Sequence, residues 1–475
     1  MARPKFVQIP PHQIDRFRDL LGDRYAAIEA AAERAREVFA GRAIWHVSST
    51  MRGGGVAEML HAFLPYVRGV GVDTRWVVLR ERAEFFALTK RLHNHLHGVD
   101  GDGGPIGEEE RELYEQTLNA SAAHLSRLLQ EQDIVFLHDP QTAGLAPAVK
   151  AVGPRIVWRC HIGADHPNDL TRRAWDFLTP YVGVADAYVF SRAAYVWDGI
   201  DRDRVSVMAP AIDPFLPKNE ELDPATVERI IGVIGLGEKA PAQRPTFTRA
   251  DGSPGRVERR AEITQEERLP DRARAVVQIS RWDRLKDHLG VLTCFQRHLG
   301  DADLHLVLAG PATGSISDDP EGAAVWREVE AAWHELGADL RRRVHLVSVP
   351  MDDPDENAAI VNALQRRADI VVQKSIAEGF GLTVAEAMWK RRPVIGTRVG
   401  GIQDQIVDGE SGILIDDPRD LGEVARAIRF LAEDRERAAE IGERARRRVL
   451  ERFLVANRLV EYVEFLAQID APVVR

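Results

Sequence analysis

The chain has 475 residues, 45% of them hydrophobic, a formal net charge of −10 and two cysteines, Cys160 and Cys294. That length can fill two cores at roughly 100–200 residues per domain, while the acidic balance argues against nucleic-acid or anionic-membrane binding. Two distant cysteines offer neither a disulfide scaffold nor a zinc site, and the lack of a signal core or of a run of ~18 apolar residues points to a soluble, cytoplasmic protein.

Short apolar runs alternate with longer amphipathic stretches, the pattern of parallel strands covered by helices. In the first half, strands are expected at 43–47, 75–79, 133–137, 155–160 and 187–190; in the second, at 275–279, 304–309, 344–347, 370–372 and 393–396. Two doubly wound α/β domains follow, 1–213 and 214–454. Residues 236–270, with Pro241, Pro245, Pro254 and Gly255 among many charges, read as a loop or partly disordered insertion. The mixed charges of 433–452 read as a solvated helix.

Ligands of open α/β sheets sit beyond the carboxyl ends of the strands, so the loops after these runs carry the information. The first contains Gly53-Gly54-Gly55 ahead of a helical pattern, which serves either as a tight turn or as a backbone able to approach a phosphate. His138-Asp139-Pro140-Gln141 follows the run at 133–137, and His161 follows that at 155–160; single histidines there are structural or catalytic. Arg281 and Lys286 leave the run at 275–279, as surface charges or as a fork and a point charge for phosphate oxygens.

The most specific string is Gln373-Lys374-Ser375 with Glu378-Gly379-Phe380-Gly381-Leu382-Thr383 and then Glu386. Two glycines allow close backbone approach, and the following helix start offers amides to an anion. Two carboxylates on a Glu-x7-Glu spacing present acceptors along one extended ligand, Glu378 suited to sugar hydroxyls and Glu386 to ribose hydroxyls.

Residues 373–390 resemble the donor motif of retaining GT-B glycosyltransferases, and Gln373-Lys374-Ser375 most resembles the trehalose-forming glycosyltransferring synthases. The resemblance covers most of 40–235 and 272–455. It implies a GT-B fold, two Rossmann-like domains facing a cleft, the first on the acceptor side and the second holding a nucleotide-sugar, with a helix at 455–475 crossing back. It implies diphosphate binding by Arg281 and Lys286, and donor binding by Gly53, Gly54, Gly55, Gly379, Phe380, Gly381, Leu382, Thr383 and Glu386. Glu378 and His161 would contact the donor sugar, and His138, Asp139 and Gln141 the acceptor.

The reaction so implied is retaining glucosyl transfer from a nucleotide-glucose to glucose, giving trehalose. Its alternatives are a trehalose phosphorylase working through phosphate and glucose 1-phosphate, a transferase with another acceptor, or a non-catalytic sugar-nucleotide sensor. No cofactor is expected. Asp100-Gly101-Asp102 lacks a clear preceding strand, so no metal clamp on the diphosphate is expected either. The expected partners are the nucleotide-sugar and the acceptor sugar, with no nucleic acid or membrane; self-association and the base of the nucleotide stay open.

Overall fold

A computed structural model describes residues 4–51, 54–239, 241–312 and 320–469. The described residues form two compact units, one running to Ala211 and resuming at Phe453, the other spanning Ile212–Arg452.

The first unit is built on β1 (Lys5–Val7), β2 (Ala43–Ser48), β3 (Asp73–Val78), β4 (Ile134–His138), β5 (Arg155–Cys160), β6 (Ala187–Phe190) and β7 (Val205–Val207). Their order is β1-β3-β2-β4-β5-β6-β7. β1 runs antiparallel to β3, and the other pairings are parallel. Helices cover both faces, so β2 and β4 are buried along their whole length and read as apolar runs rather than alternating ones. Trp45, Val47, Trp158 and Cys160 share one core cluster with the helix residues Phe85, Leu92 and Trp175. The helix Val455–Ile469 buries Leu459, Tyr462, Val463 and Leu466 and packs on the helices Tyr25–Val38 and Gly55–Gly69. Strand order turns back between β2 and β4, so the loops leaving these two strands diverge and open a crevice at their carboxyl ends.

The second unit contains β8 (Thr246–Thr248), β9 (Pro254–Arg256), β10 (Glu262–Thr264), β11 (Ala275–Ile279), β12 (His305–Pro311), β13 (Val344–Val349), β14 (Ile370–Gln373), β15 (Val394–Thr397) and β16 (Ile413–Ile415). Its main sheet runs β10-β13-β12-β11-β14-β15-β16, with β8 and β9 paired separately. From β11 onward the pairings are parallel, and β10 adds an antiparallel edge. Here the order turns back between β11 and β14, the strands that lead to Arg281 and to Glu378.

Residues 236–270 correct the expectation of a loose insertion. They supply β8, β9 and β10, and Leu236, Phe247, Val257 and Leu269 are buried. Two of their arginines tie the segment to the rest of the unit. Arg249 pairs bidentately with Asp353 at 3.1 and 2.7 Å. Glu356, 2% exposed, accepts the backbone N–H groups of Glu258 and Arg259 at 2.7 Å each and the Arg259 guanidinium. Among the described residues no helix is long and apolar enough to cross a membrane.

Candidate active site

In the second unit, β11 and β14 deliver the charged residues to one place. The 3-10 turn Arg284–Lys286 is capped by Asp283, whose Oδ1 accepts from Leu285 N at 2.8 Å. Lys286 Nζ meets Glu378 Oε2 at 2.5 Å, with both side chains largely buried. Ser375 Oγ donates to the same carboxylate at 3.3 Å. Arg281 is about one-third exposed and lies 3.3 Å from Asp283 Oδ2. A nearly desolvated Lys–Glu pair is held by mutual attraction, and an anion arriving beside it would compete with Glu378 for the ammonium.

A polar scaffold locks this geometry. Gln278 donates to Lys286 O at 2.8 Å and accepts from Lys374 N at 3.2 Å, tying the two loops together. Gln373 donates to Ser375 Oγ and accepts from Thr383 Oγ1, each at 3.1 Å. Lys374, 2% exposed, pairs with Asp287, which sits at φ 52°. These roles are not visible in the sequence, because Lys374 and Asp287 are far apart in the chain and meet only when β11 and β14 pair.

Gly381, at φ 81°, turns the chain into the helix Leu382–Trp389, which has no side-chain cap at its N-terminus. Any other side chain would be strained at that φ, and the uncapped amides point toward whatever occupies the loop. Phe380 is buried, its carbonyl accepting from Gln405 Nε2 at 2.6 Å. A Cβ on Gly401 would press to 2.6 Å from Phe380 Cα, so glycine is needed behind the loop as well.

Glu386 is 2% exposed. Its Oε1 lies 3.2 Å from Lys218 Nζ, while its Oε2 has no hydrogen-bond partner among the described residues. Lys390 lies behind it, donating to Asn219 Oδ1 at 3.0 Å and to Glu386 O at 3.1 Å. Burial pushes the Lys390 ammonium well below its usual range, with the Glu386 charge opposing. Lys218 carries no motif in the sequence that would have marked it as a neighbour of Glu386, and Lys390, though it closes the 373–390 string, has no assigned role there.

The first unit presents a different chemistry. Gly54, at φ 89°, precedes the helix Gly55–Gly69, and a Cβ on Gly54 or Gly55 would meet nothing within 4 Å. That open space lets a ligand reach the backbone. Gly53 lies outside the described residues.

At the end of β4, Asp139 takes φ 60°, unusual for a residue with a Cβ. Its Oδ1 accepts from His161 N at 2.7 Å. Burial pushes the Asp139 carboxyl up to about 7, opposed by that hydrogen bond and by the charge of Arg159. His138, Asp139 and His161 are therefore brought together, and Gln141 follows half-buried in the short helix Asp139–Ala143.

A chain of rings runs behind them. Tyr462 Oη meets His46 Nε2 at 3.1 Å, His46 Nδ1 meets His138 Nε2 at 3.0 Å, and His138 Nδ1 meets His161 Nε2 at 3.4 Å. His161 Nδ1 then meets Ser191 Oγ at 3.0 Å. Burial, aided by the positive charge of Arg159, lowers His46 to about 3 and keeps His138 and His161 well below the usual imidazole range. A neutral imidazole donates from one nitrogen and accepts at the other. All the contacts are satisfied together only if the donors point the same way along the whole chain, from Tyr462 to Ser191 or the reverse. His46 and Tyr462, unmarked in the sequence, thus govern which nitrogen of His161 carries the proton.

Comparison with known proteins agrees with this architecture. The family described as "Trehalose synthase, N-terminal domain" matches residues 46–197, and "Glycosyl transferases group 1" matches residues 259–448. The trehalose synthase of Pyrococcus horikoshii is 33% identical over 458 residues, 96% of each chain. A trehalose phosphorylase of Pleurotus sajor-caju is 28% identical over 77% of this chain and 50% of its own length. Among solved structures, an alpha,alpha-trehalose-phosphate synthase (UDP-forming) from Burkholderia vietnamiensis superposes with a TM-score of 0.64 at 15% identity, over 90% of this chain and 98% of that one, a likeness of GT-B fold. The chain belongs to the trehalose synthase family of GT-B glycosyltransferases.

Proposed function

We propose that the protein transfers glucose, with retention of its α-configuration, from a nucleotide-glucose to free glucose and forms trehalose. The observation that carries the donor is Glu386, whose buried Oε2 lacks a partner on the helix that begins beside the Lys286–Glu378 pair. A buried carboxylate oxygen without a donor is costly, and a ribose hydroxyl is a donor of the right kind. Cleaving the glycosyl–phosphate bond leaves negative charge on the diphosphate, which Arg281, Lys286 and the uncapped amides at Leu382–Thr383 would stabilise. Glu378 would accept sugar hydroxyls once Lys286 turns to the phosphate.

On the acceptor side, His138, Asp139 and Gln141 read hydroxyls, and His161 approaches the donor sugar. The acceptor oxygen forms the new bond to the anomeric carbon as the phosphate oxygen leaves, and the leaving phosphate takes the acceptor proton on the same face. The phosphorylase reading keeps these residues and replaces the nucleotide with inorganic phosphate; the Pleurotus relative supports weighing it. Incubating the protein with a panel of nucleotide-glucoses and free sugars, with and without phosphate, tests the proposal. Nucleoside diphosphate release that requires glucose but no phosphate supports it. Product only from glucose 1-phosphate overturns it in favour of the phosphorylase.

A further inference from the structure

Arg159 lies near the end of β5, with its side chain on the face opposite Trp158 and Cys160. It is 5% exposed. Its Nε has no hydrogen-bond partner among the described residues, and no carboxylate among them lies within ion-pairing distance of the guanidinium. The acids nearby are otherwise engaged: Glu461 pairs with Arg458 at 2.5 Å, and Asp139 accepts from His161 N. Burial lowers Arg159 only to about 10, so it keeps its charge near neutral pH.

A buried cation without a counter-ion is strongly disfavoured, and the Arg159 side chain borders a small recess. That recess has a volume of about 10 Å³, room for one particle the size of a water molecule, and Met59, Phe63, Met208, Arg458 and Tyr462 line it as well. Arg458 is already paired with Glu461, so Arg159 alone, among apolar walls, suits one monatomic anion that sheds part of its hydration. A guanidinium fork can hold a halide through paired N–H groups.

We propose that this recess is a binding site for a small inorganic anion, held on Arg159 within the first unit. Such an anion supplies the missing counter-charge beneath the histidine chain, separately from the residues assigned to donor and acceptor.

The test uses the full chain at constant ionic strength. Sodium gluconate is replaced stepwise by chloride or bromide, and thermal unfolding is followed for wild type, Arg159→Gln and, as a control on an exposed arginine, Arg447→Gln. The expected result is a saturating rise in Tm for wild type and Arg447→Gln, and a flat response for Arg159→Gln. Should Arg159→Gln fail to fold, wild-type crystals grown in bromide and measured at the bromine edge decide the matter, with an anomalous peak expected beside the Arg159 guanidinium. A wild-type Tm that does not respond to any of these anions, a response retained by Arg159→Gln, or a bromide map without that peak would overturn the proposal.

Discussion

The two points where strand order turns back share a geometry and differ in electrostatics. Beyond β11 and β14 stand paired full charges, Lys286 with Glu378 and Lys374 with Asp287. Around the carboxyl ends of β2, β4 and β5 stand neutral imidazoles, His46 within β2 and His138 closing β4, and the Asp139 carboxyl, whose proton is held up to about 7. In the proposed reaction, a diphosphate that gains charge as it leaves would need cations and amides in place beforehand, since preorganised charge acts without reorganisation cost. Two uncharged sugars would need hydroxyl-reading groups and a fixed proton arrangement. The same supersecondary frame thus yields an ionic half and a neutral half, according to which residues follow the strands.

The strongest way to break that contrast is on the ionic side. Lys286→Ala and Arg281→Ala should each lower kcat by about 10²–10³-fold, the usual loss for removing one preorganised group at a developing anion, with the fold retained. Near-normal turnover in either variant would remove the ionic half from the mechanism. Next in size, Glu386→Gln should weaken binding of free nucleoside diphosphate by about tenfold or more, as expected for loss of a charge-assisted hydrogen bond of about 1.5–3 kcal/mol. Glu378→Gln should spare that affinity and lower transfer instead. Calorimetry giving the reverse pattern would exchange the two roles.

Smaller effects sharpen the account of structure. Glu356→Ala strands two backbone donors and Arg259, so a loss of about 1–3 kcal/mol in unfolding free energy is expected from denaturant titration. An unchanged midpoint would mean that residues 236–270 contribute little after all. For the neutral half, the folded-state pKa of Asp139 stands above its ordinary 3.8, so folding is favoured while the group holds its proton. That stability is fully present below about pH 4 and is lost as pH rises through about 7. Asp139→Asn cannot ionise, and its Tm relative to wild type should climb over that interval and then level off. A difference independent of pH would show that Asp139 is ionised throughout.

Much of the fold was legible because its strands are apolar and well punctuated. The expected runs at 155–160, 187–190 and 275–279 coincide with β5, β6 and β11. The edge strands β1, β7 and β10 escaped notice, being three residues long and at least partly exposed. Residues 236–270 were misread because proline and charge resemble disorder in composition, while the partners of those charges, Asp353 and Glu356, lie about a hundred residues away. In the site, Glu378, Glu386, Arg281 and Lys286 stand on a recognisable spacing. His46 does not, since a lone histidine within an apolar strand looks like core, and its partners come from β4 and from the last helix.

Glucosyl transfer to glucose with retained configuration leaves a distinct signature in the product. Proton NMR of a reaction containing a nucleotide-α-glucose and glucose labelled with ¹³C at C1 tests it most directly. The account predicts that the label appears in a non-reducing disaccharide whose two anomeric protons both show the small coupling of α-linkages, with no phosphate added. A β-anomeric signal in the product, a product that keeps a reducing end, or labelled glucose left unconsumed while nucleotide-glucose is turned over would contradict it.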